Sequence, residues 1–355
     1  MPALQPQPKD IRTLSFPELE AWVAATGEKK FRAKQIWEWL WQKRARSFQE
    51  MTNLSKALRQ RLAEEFRFNI LSVAHQQRSA DGTIKYGFRL ADGEIIEGVL
   101  IPTSDRLTAC ISSQSGCSLA CKFCATGYMK LKRNLQHYEI TEQVQLLDAF
   151  GREHFGRGLS NIVYMGMGEP LLNYKHVMAS IERITAPDGF GFGARRITVS
   201  TAGIAKMIKR LGDDGARFEF ALSLHAADDA KRNEIMAINE TNSLEVLGEA
   251  LQYFHQKTGT RITLEYIVFS DFNDSPADAR QLAAFSKRVP SKVNIIEYNP
   301  IAFADFQNAS EQRFNRFVEI LEQERVIVNV RRSRGKDVDG GCGQLAVKQE
   351  TPANA

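Results

Sequence analysis

The chain has 355 residues and a formal net charge of +5, from 47 basic against 42 acidic side chains, which allows one main domain of roughly 200 residues or more beside a smaller one. A hydrophobic fraction of 43% is too high for a disordered chain, and no apolar run is long enough to span a bilayer as a helix. Five cysteines are too few for a disulfide scaffold, and the opening MPALQPQPKD lacks the basic start and apolar run of an export signal. A reducing, cytoplasmic setting with no membrane partner is therefore expected.

Ser15, Pro17 and Glu18 have the pattern of a capped helix start, and apolar residues recur at helical period over about 32–43 and 53–67. Residues 1–80 read as a small helical domain. Within it Lys29, Lys30, Arg32, Lys34, Lys43, Arg44 and Arg46 surround Trp37, Trp39 and Trp41. Such a stretch suits an RNA backbone and unstacked bases; it equally describes a helix with a solvated basic face whose Ile36, Trp37, Leu40 and Trp41 pack inward. Residues 83–101 then alternate as two strands about the turn Ala91-Asp92-Gly93, a hairpin placed as a link over 81–106.

From 107 the rhythm changes. Strand-like runs at about 107–113, 161–165, 196–200, 218–224, 261–268, 293–298 and 325–331 alternate with helical segments at about 141–150, 174–185, 203–210, 243–257, 276–287 and 311–323. This favours parallel strands covered by helices, with chemistry at the C-terminal strand ends if the sheet is a barrel. An open doubly wound sheet satisfies the same periodicity.

The segment CSLACKFC follows the first of these strands and sets Cys117, Cys121 and Cys124 in a C-x3-C-x2-C spacing. Three thiolates hold three corners of a four-iron cube and leave one iron open for chemistry. With Cys110 upstream, the same sulfurs are also a candidate tetrahedral zinc site. Further strand ends carry Gly166, Gly168 and Glu169 in MGMGEP, Ser200 in ITVS, Ser223, Leu224 and His225 in LSLHA, and Asn299 before Pro300. The glycines let backbone approach a ligand or form a tight turn, Glu169 is an acceptor for an amine or ribose, and Ser200 is a candidate helix cap. Cys342 lies on glycine-rich backbone after Arg331, Arg332, Arg334 and Lys336, cations expected to favour its thiolate and attract phosphate unless they are only a solvated tail.

Taken in order, CISSQSGCSLACKFCATG, VYMGMGEPLLN, ITVSTAG, LSLHA, EYNP and GKDVDGGCGQL resemble the RlmN/Cfr family of radical S-adenosylmethionine (SAM) RNA methyltransferases, and the likeness runs from FRAKQIWEWLW nearly to the end of the chain. The resemblance implies an α/β fold, a partial (β/α)6 TIM-like radical SAM barrel over 107–347, with a helical RNA-binding accessory domain over 1–80, the β-hairpin linker over 81–106 and a tail over 348–355. It implies that Cys117, Cys121 and Cys124 ligate one [4Fe-4S] cluster, and that Gly168, Glu169, Ser200, Ser223, Leu224, His225 and Asn299 bind SAM, both methyl donor and radical source. Cys342 then carries the methyl group, Cys110 is a second catalytic cysteine that forms a transient disulfide with it, and Glu97 accepts a proton. The implied reaction methylates carbon 2 of adenosine 2503 in 23S rRNA and of adenosine 37 in tRNAs, with two SAM per turnover, a flavodoxin-type electron donor and a monomeric enzyme. The alternatives are the Cfr reaction at carbon 8 and, outside enzymes, an RNA-binding protein with a structural metal.

Overall fold

The computed structural model describes residues 8–346; the expected tail 348–355, and residue 347 of the expected barrel, lie outside the described residues. Strand β1 (Lys9–Asp10) precedes helices α1 (Phe16–Ala25), α2 (Phe31–Trp41) and α3 (Lys56–Glu65), and β2 (Phe66–Arg67) returns to pair in parallel with β1. Helix α1 begins as its sequence dictates: Ser15 Oγ accepts from Glu18 N, the Glu18 carboxylate accepts from Ser15 N at 2.7 Å, and Pro17 occupies the first turn, where a missing N–H costs nothing. Ile36, Trp37, Leu40 and Trp41 are buried against Leu19, Val23, Leu58 and Leu62 in a cluster that also takes in Tyr138.

Part of the basic stretch is consumed by packing. Arg44 pairs with Asp148 at 3.4 Å and stacks on Phe190, Arg46 reaches Glu142 at 3.1 Å, and Lys43 lies 4.0 Å over the Trp39 ring; Lys29, Lys30 and Lys34 stay exposed. Arg12 is buried and joins the helical segment to the rest. Its Nη2 donates to Asp10 Oδ2 and its Nη1 to Glu142 Oε2 on α4 (His137–Phe155), both at 2.8 Å.

Strand β3 (Ser72–Arg78) forms a meander with β4 (Ile84–Arg89) and β5 (Ile95–Pro102). Its sequence SVAHQQR and its mostly exposed faces give no apolar alternation, so periodicity left it inside the helical segment. The hairpin is continuous with the main sheet, because β5 pairs antiparallel with β6 (Leu107–Cys110). Short strands β7 (Gln114–Ser115) and β8 (Arg133–Asn134) pair with each other and frame the cysteine loop. Strands β9 (Asn161–Tyr164), β10 (Ile197–Thr201), β11 (Glu219–Ser223), β12 (Ile262–Ile267), β13 (Ser291–Ile296) and β14 (Val328–Arg331) follow. The helices between them are α5 (Tyr174–Thr185), α6 (Ala205–Asp213), the pair α7 (Asp229–Ile235) and α8 (Leu244–Thr258), α9 (Pro276–Ser286) and α10 (Glu311–Gln323). The sequence pattern did not reveal α7, a short helix capped by Asp228, whose side chain accepts from Lys231 N at 3.0 Å.

Strands β6 and β9 to β14 run parallel and lie side by side in chain order. A doubly wound sheet reverses its order at a switch point; here every crossover steps the same way, so the strands curl as a barrel wall. Strands β3 and β14 end the sheet without pairing to each other, which leaves the barrel partial: six β/α units and a terminal strand. The expected fold is present, and the doubly wound alternative is set aside.

Replacing Arg12 by leucine leaves the buried Asp10 carboxylate without its cation and Glu142 with Arg46 alone. The variant is expected to lose about 3–5 kcal/mol, read as a lower urea midpoint at unchanged slope. A loss below about 1 kcal/mol would show that the apolar contacts alone hold the helical segment in place.

Candidate active site

The cysteine loop is shaped by close backbone approaches. Gly116 has φ +76°, and a Cβ there would sit 2.2 Å from Lys130 O; a Cβ at Gly127 would sit 2.6 Å from Cys121 O. Tightened in this way, the loop turns Cys117, Cys121 and Cys124 into the wall of one cavity of about 140 Å³. Burial pushes the Cys117 thiol up to about 11 and the Cys121 and Cys124 thiols above their ordinary value, and the charges of Cys117 and Cys124 raise Cys121 further. Thiols held protonated in this way release their protons when a metal binds. Cys110 stands apart, at the end of β6 and not in the wall of this cavity. A four-sulfur zinc site is therefore not assembled, whereas three thiols on one roomy rim fit three corners of an iron-sulfur cube.

The strand ends complete the cavity. Gly168, at φ +91°, leaves no room for a Cβ, which would meet the Gln114 side chain at 2.4 Å. Glu169 is buried; its Oε1 accepts from Leu171 N at 3.0 Å and its Oε2 from Ala202 N at 2.8 Å. The carboxylate expected to wait for a ligand thus already ties two loops together, while each oxygen keeps a further lone pair. Ser200 does not cap a helix: it lies inside β10, and its Oγ meets Ser223 Oγ at 3.2 Å. His225 adopts φ +56°, and its Nδ1 accepts from Ile267 N at 3.2 Å. Burial pushes His225 down to about 3, so the ring stays neutral.

Leu224 and Asn299 are not in the cavity wall. Leu224 is fully buried and acts through its backbone, donating to Glu265 O at 3.0 Å. Asn299 Nδ2 donates to Cys342 O at 3.0 Å, while its buried Oδ1 has no partner among the described residues. Sequence reasoning missed Arg232. This side chain on α7 is fully buried and donates to Leu224 O at 3.1 Å, Ala202 O at 2.6 Å, Ser223 O at 3.3 Å and Asn239 Oδ1 at 2.7 Å. No motif marks an arginine whose partners are backbone carbonyls of three distant residues.

The segment after β14 folds back over the sheet. Gly335 N donates to Asp81 Oδ2 at 2.9 Å, Asp337 accepts from Ser79 and Ala80, and Ala125 N donates to Gly343 O at 2.7 Å. These ties carry Cys342 into the cysteine cavity. The side chain faces open cavity space, yet protein surrounds that space, and burial pushes the thiol up to about 12, helped by Cys110, Glu265 and Cys124. The expected lowering by neighbouring cations does not occur. Arg332 and Lys336 are spent on Glu297, at 2.6 and 2.8 Å.

Cys110 is likewise pushed up to about 12 by burial, and all five cysteines are free. Glu97, on β5, is buried with Lys85 Nζ at 3.4 Å and His75 Nε2 at 3.6 Å from its Oε1. Its Oε2 has no hydrogen-bond partner among the described residues. Desolvation outweighs Lys85 and pushes this carboxyl up to about 7.

Two family models match the chain: Ribosomal RNA large subunit methyltransferase N-terminal domain over residues 9–68 and Radical SAM superfamily over 111–283. A protein of Cytophaga hutchinsonii named "Probable dual-specificity RNA methyltransferase RlmN" is 56% identical over 341 residues, covering 96% of this chain and 93% of its own. The "Dual-specificity RNA methyltransferase RlmN" of Anaeromyxobacter dehalogenans is 42% identical over 98% of this chain and 94% of its own. The crystal structure of a radical SAM methyltransferase from Sphaerobacter thermophilus superposes with a TM-score of 0.90 at 40% identity, covering 96% of this chain and 100% of that one. With both halves matched and the agreement running nearly end to end, the chain belongs to the RlmN family of dual-specificity RNA methyltransferases, in the radical SAM superfamily.

Proposed function

We propose that this chain methylates carbon 2 of adenosine 2503 in 23S rRNA and of adenosine 37 in tRNAs, through a methyl group carried on Cys342. The observation that carries this reading is that Cys342 lines the same cavity as Cys117, Cys121 and Cys124, with the charges of Cys110 and Cys124 acting on its thiol. One sulfur can therefore receive a group, pass it to the base, and be released from the product by a second thiol. Carbon 2 of adenine has no lone pair with which to attack a methyl sulfonium, so a relay through a sulfur nucleophile is needed.

Cys117, Cys121 and Cys124 would hold a [4Fe-4S] cluster, and the wall formed by Gly168, Glu169, Ser200, Ser223 and His225 would hold SAM, with Leu224 behind it and Asn299 beside Cys342 completing the set assigned to that cofactor. When bound, the cluster and two SAM per turnover supply the electron, the methyl group and the adenosyl radical that activates it. The side chains supply the rest. Cys342 loses its thiol proton and its Sγ takes the methyl carbon, which later joins carbon 2 and tethers the base to the protein. Glu97 takes the ring proton, a task suited to a carboxyl that titrates near neutrality. Cys110 Sγ, once deprotonated, attacks Cys342 Sγ. The disulfide forms, the carbon–sulfur bond breaks, and its electron pair leaves with the carbon, which takes up a proton as the methylated base departs.

The target base must be unstacked to reach this cavity. Exposed Lys29, Lys30 and Lys34 on the helical segment and Arg331 and Arg334 beside the closing loop are the cations assigned to the RNA backbone. In this reading residues 1–80 serve as the accessory domain, 81–106 as the link and 107–347 as the catalytic barrel of a monomer reduced by a flavodoxin-type donor.

Enzyme supplied with SAM and a reductant should yield 2-methyladenosine from both a 23S fragment and tRNA, resolved chromatographically from the 8-methyl isomer of equal mass. A carbon 8 product would reassign the regiochemistry, and binding without turnover would sink the catalytic reading. Protein from SAM-replete cells should carry a gain of about 14 Da on the Cys342 peptide. Cys342→Ala should lose that gain and RNA methylation while keeping the cluster signal and SAM binding. Cys110→Ala should accumulate a protein–RNA adduct through Cys342, and its absence in active preparations would remove Cys110 from product release.

A further inference from the structure

Cys342 faces a second chamber that the catalytic assignment leaves without an occupant. This cavity of about 350 Å³ runs through the barrel between Arg106, Glu219 and Arg334 and shares Met165, Glu265, Ile296 and Cys342 with the cysteine cavity. Glu265 is the only carboxylate in that shared wall. Direct strand register places it beside Ser223 on β11 and Asn294 on β13, and Asn294 beside Asn329 on β14. Asn294 Nδ2 donates to Glu265 Oε1 at 2.9 Å, and Asn329 Nδ2 donates to Asn294 Oδ1 at 3.3 Å. Both Glu265 and Asn294 are buried. The ladder fixes one carboxyl oxygen and leaves the other to a proton and a ligand. The groups facing Glu265 are Ser223, Lys292, Asn294 and Arg331 from the adjoining strands and Cys342 from the closing loop.

We propose that the second chamber is the subsite for the target adenine, and that Glu265 in its acid form donates a hydrogen bond to a ring nitrogen flanking carbon 2 as the Cys342-borne carbon adds there. This rests on the carbon 2 reading above. Drawing electron density out of the ring makes carbon 2 a better acceptor for an incoming carbon, which is general acid catalysis. The general-acid part moves one proton: it shifts from Oε2 toward nitrogen as the carbon–carbon bond forms, and returns when Glu97 removes the carbon 2 proton and the odd electron left on the ring passes to a one-electron acceptor, the iron–sulfur cluster of the carbon 2 reading, so that the ring regains aromaticity. Burial pushes Glu265 up to about 7 against the pull of Asn294, Arg331 and Lys292. The acid form is therefore present at neutral pH and lost above it, while Glu97 needs its base form. Two buried carboxyls with opposite duties give adduct formation a bell-shaped profile centred near neutrality.

The test measures formation of the Cys342–RNA adduct in the Cys110→Ala background, with Glu265→Gln and Glu265→Ala added, and follows Cys342 methylation by mass and RNA affinity by binding. Glu265→Ala should slow adduct formation at least about 100-fold with methylation and affinity unchanged. Glu265→Gln, isosteric and still a donor, should fall in between and lose the alkaline limb of the pH profile. Adduct formation at the parent rate, an alkaline limb that survives in Glu265→Gln, or loss of Cys342 methylation in the glutamine variant would each overturn the assignment, the last by making Glu265 the base for the first methyl transfer. If Cys110→Ala alone forms no adduct, the relay through Cys342 fails instead, a different result from failure of Glu265.

Discussion

Arg232 is buried among strand ends and donates to three backbone carbonyls and one amide oxygen. Burial pushes its guanidinium down to about 10, opposed by Cys121 and Asp229, so it stays a cation at neutral pH. The carbonyls it holds belong to Ala202, Ser223 and Leu224, where β10 and β11 open into the cavity. Removing it would strand several buried acceptors at once. The same cation raises the electrostatic potential at Cys121 and favours its thiolate. Loop shape and local charge on this rim therefore follow from one side chain.

Around that clamp the site is assembled by contacts of long sequence separation. Glu169 ties the loop after β9 to the loop after β10, and His225 is fixed by Ile267 N and by Asn273, whose Nδ2 donates to His225 O at 2.6 Å. The closing segment reaches back to Ser79, Ala80 and Asp81, so the β3–β4 turn, remote from the cysteine loop in sequence, helps decide where Cys342 sits. The helical segment is joined to α4 through Arg12 and Glu142, and a change there is felt by the helix that follows the cysteine loop.

Desolvation dominates the chemistry of this interior. It raises five thiols and three carboxyls, Glu97, Glu169 and Glu265, above their ordinary values. Protonated thiols are poor nucleophiles and poor ligands, whereas the Glu97 and Glu265 carboxyls, near 7, exchange protons at neutral pH.

The amino-acid sequence alone determined the family, the β/α alternation, the start of α1 and the C-x3-C-x2-C loop, because periodicity, capping and cysteine spacing are local properties of adjacent residues. Ordered motifs also nominated residues that meet in the cavity, among them Gly168, Glu169, Ser223 and His225. The resemblance implied the partial barrel; hydrophobic period left the doubly wound sheet open, because a crossover's direction leaves no trace in it, and tertiary structure showed the strands following chain order. It showed β3 as an edge strand without apolar alternation, gave Ser200 a serine partner across strands, and consumed Arg44 and Arg46 in packing. It also reversed the expected effect on Cys342: proximity in sequence suggested that cations would lower the thiol, but Arg332 and Lys336 bind Glu297, and the folded surroundings bring burial and negative groups instead. Charge, desolvation and hydrogen bonding act through space, and for Arg232, Glu265 and Cys342 the spatial neighbours come from distant parts of the chain.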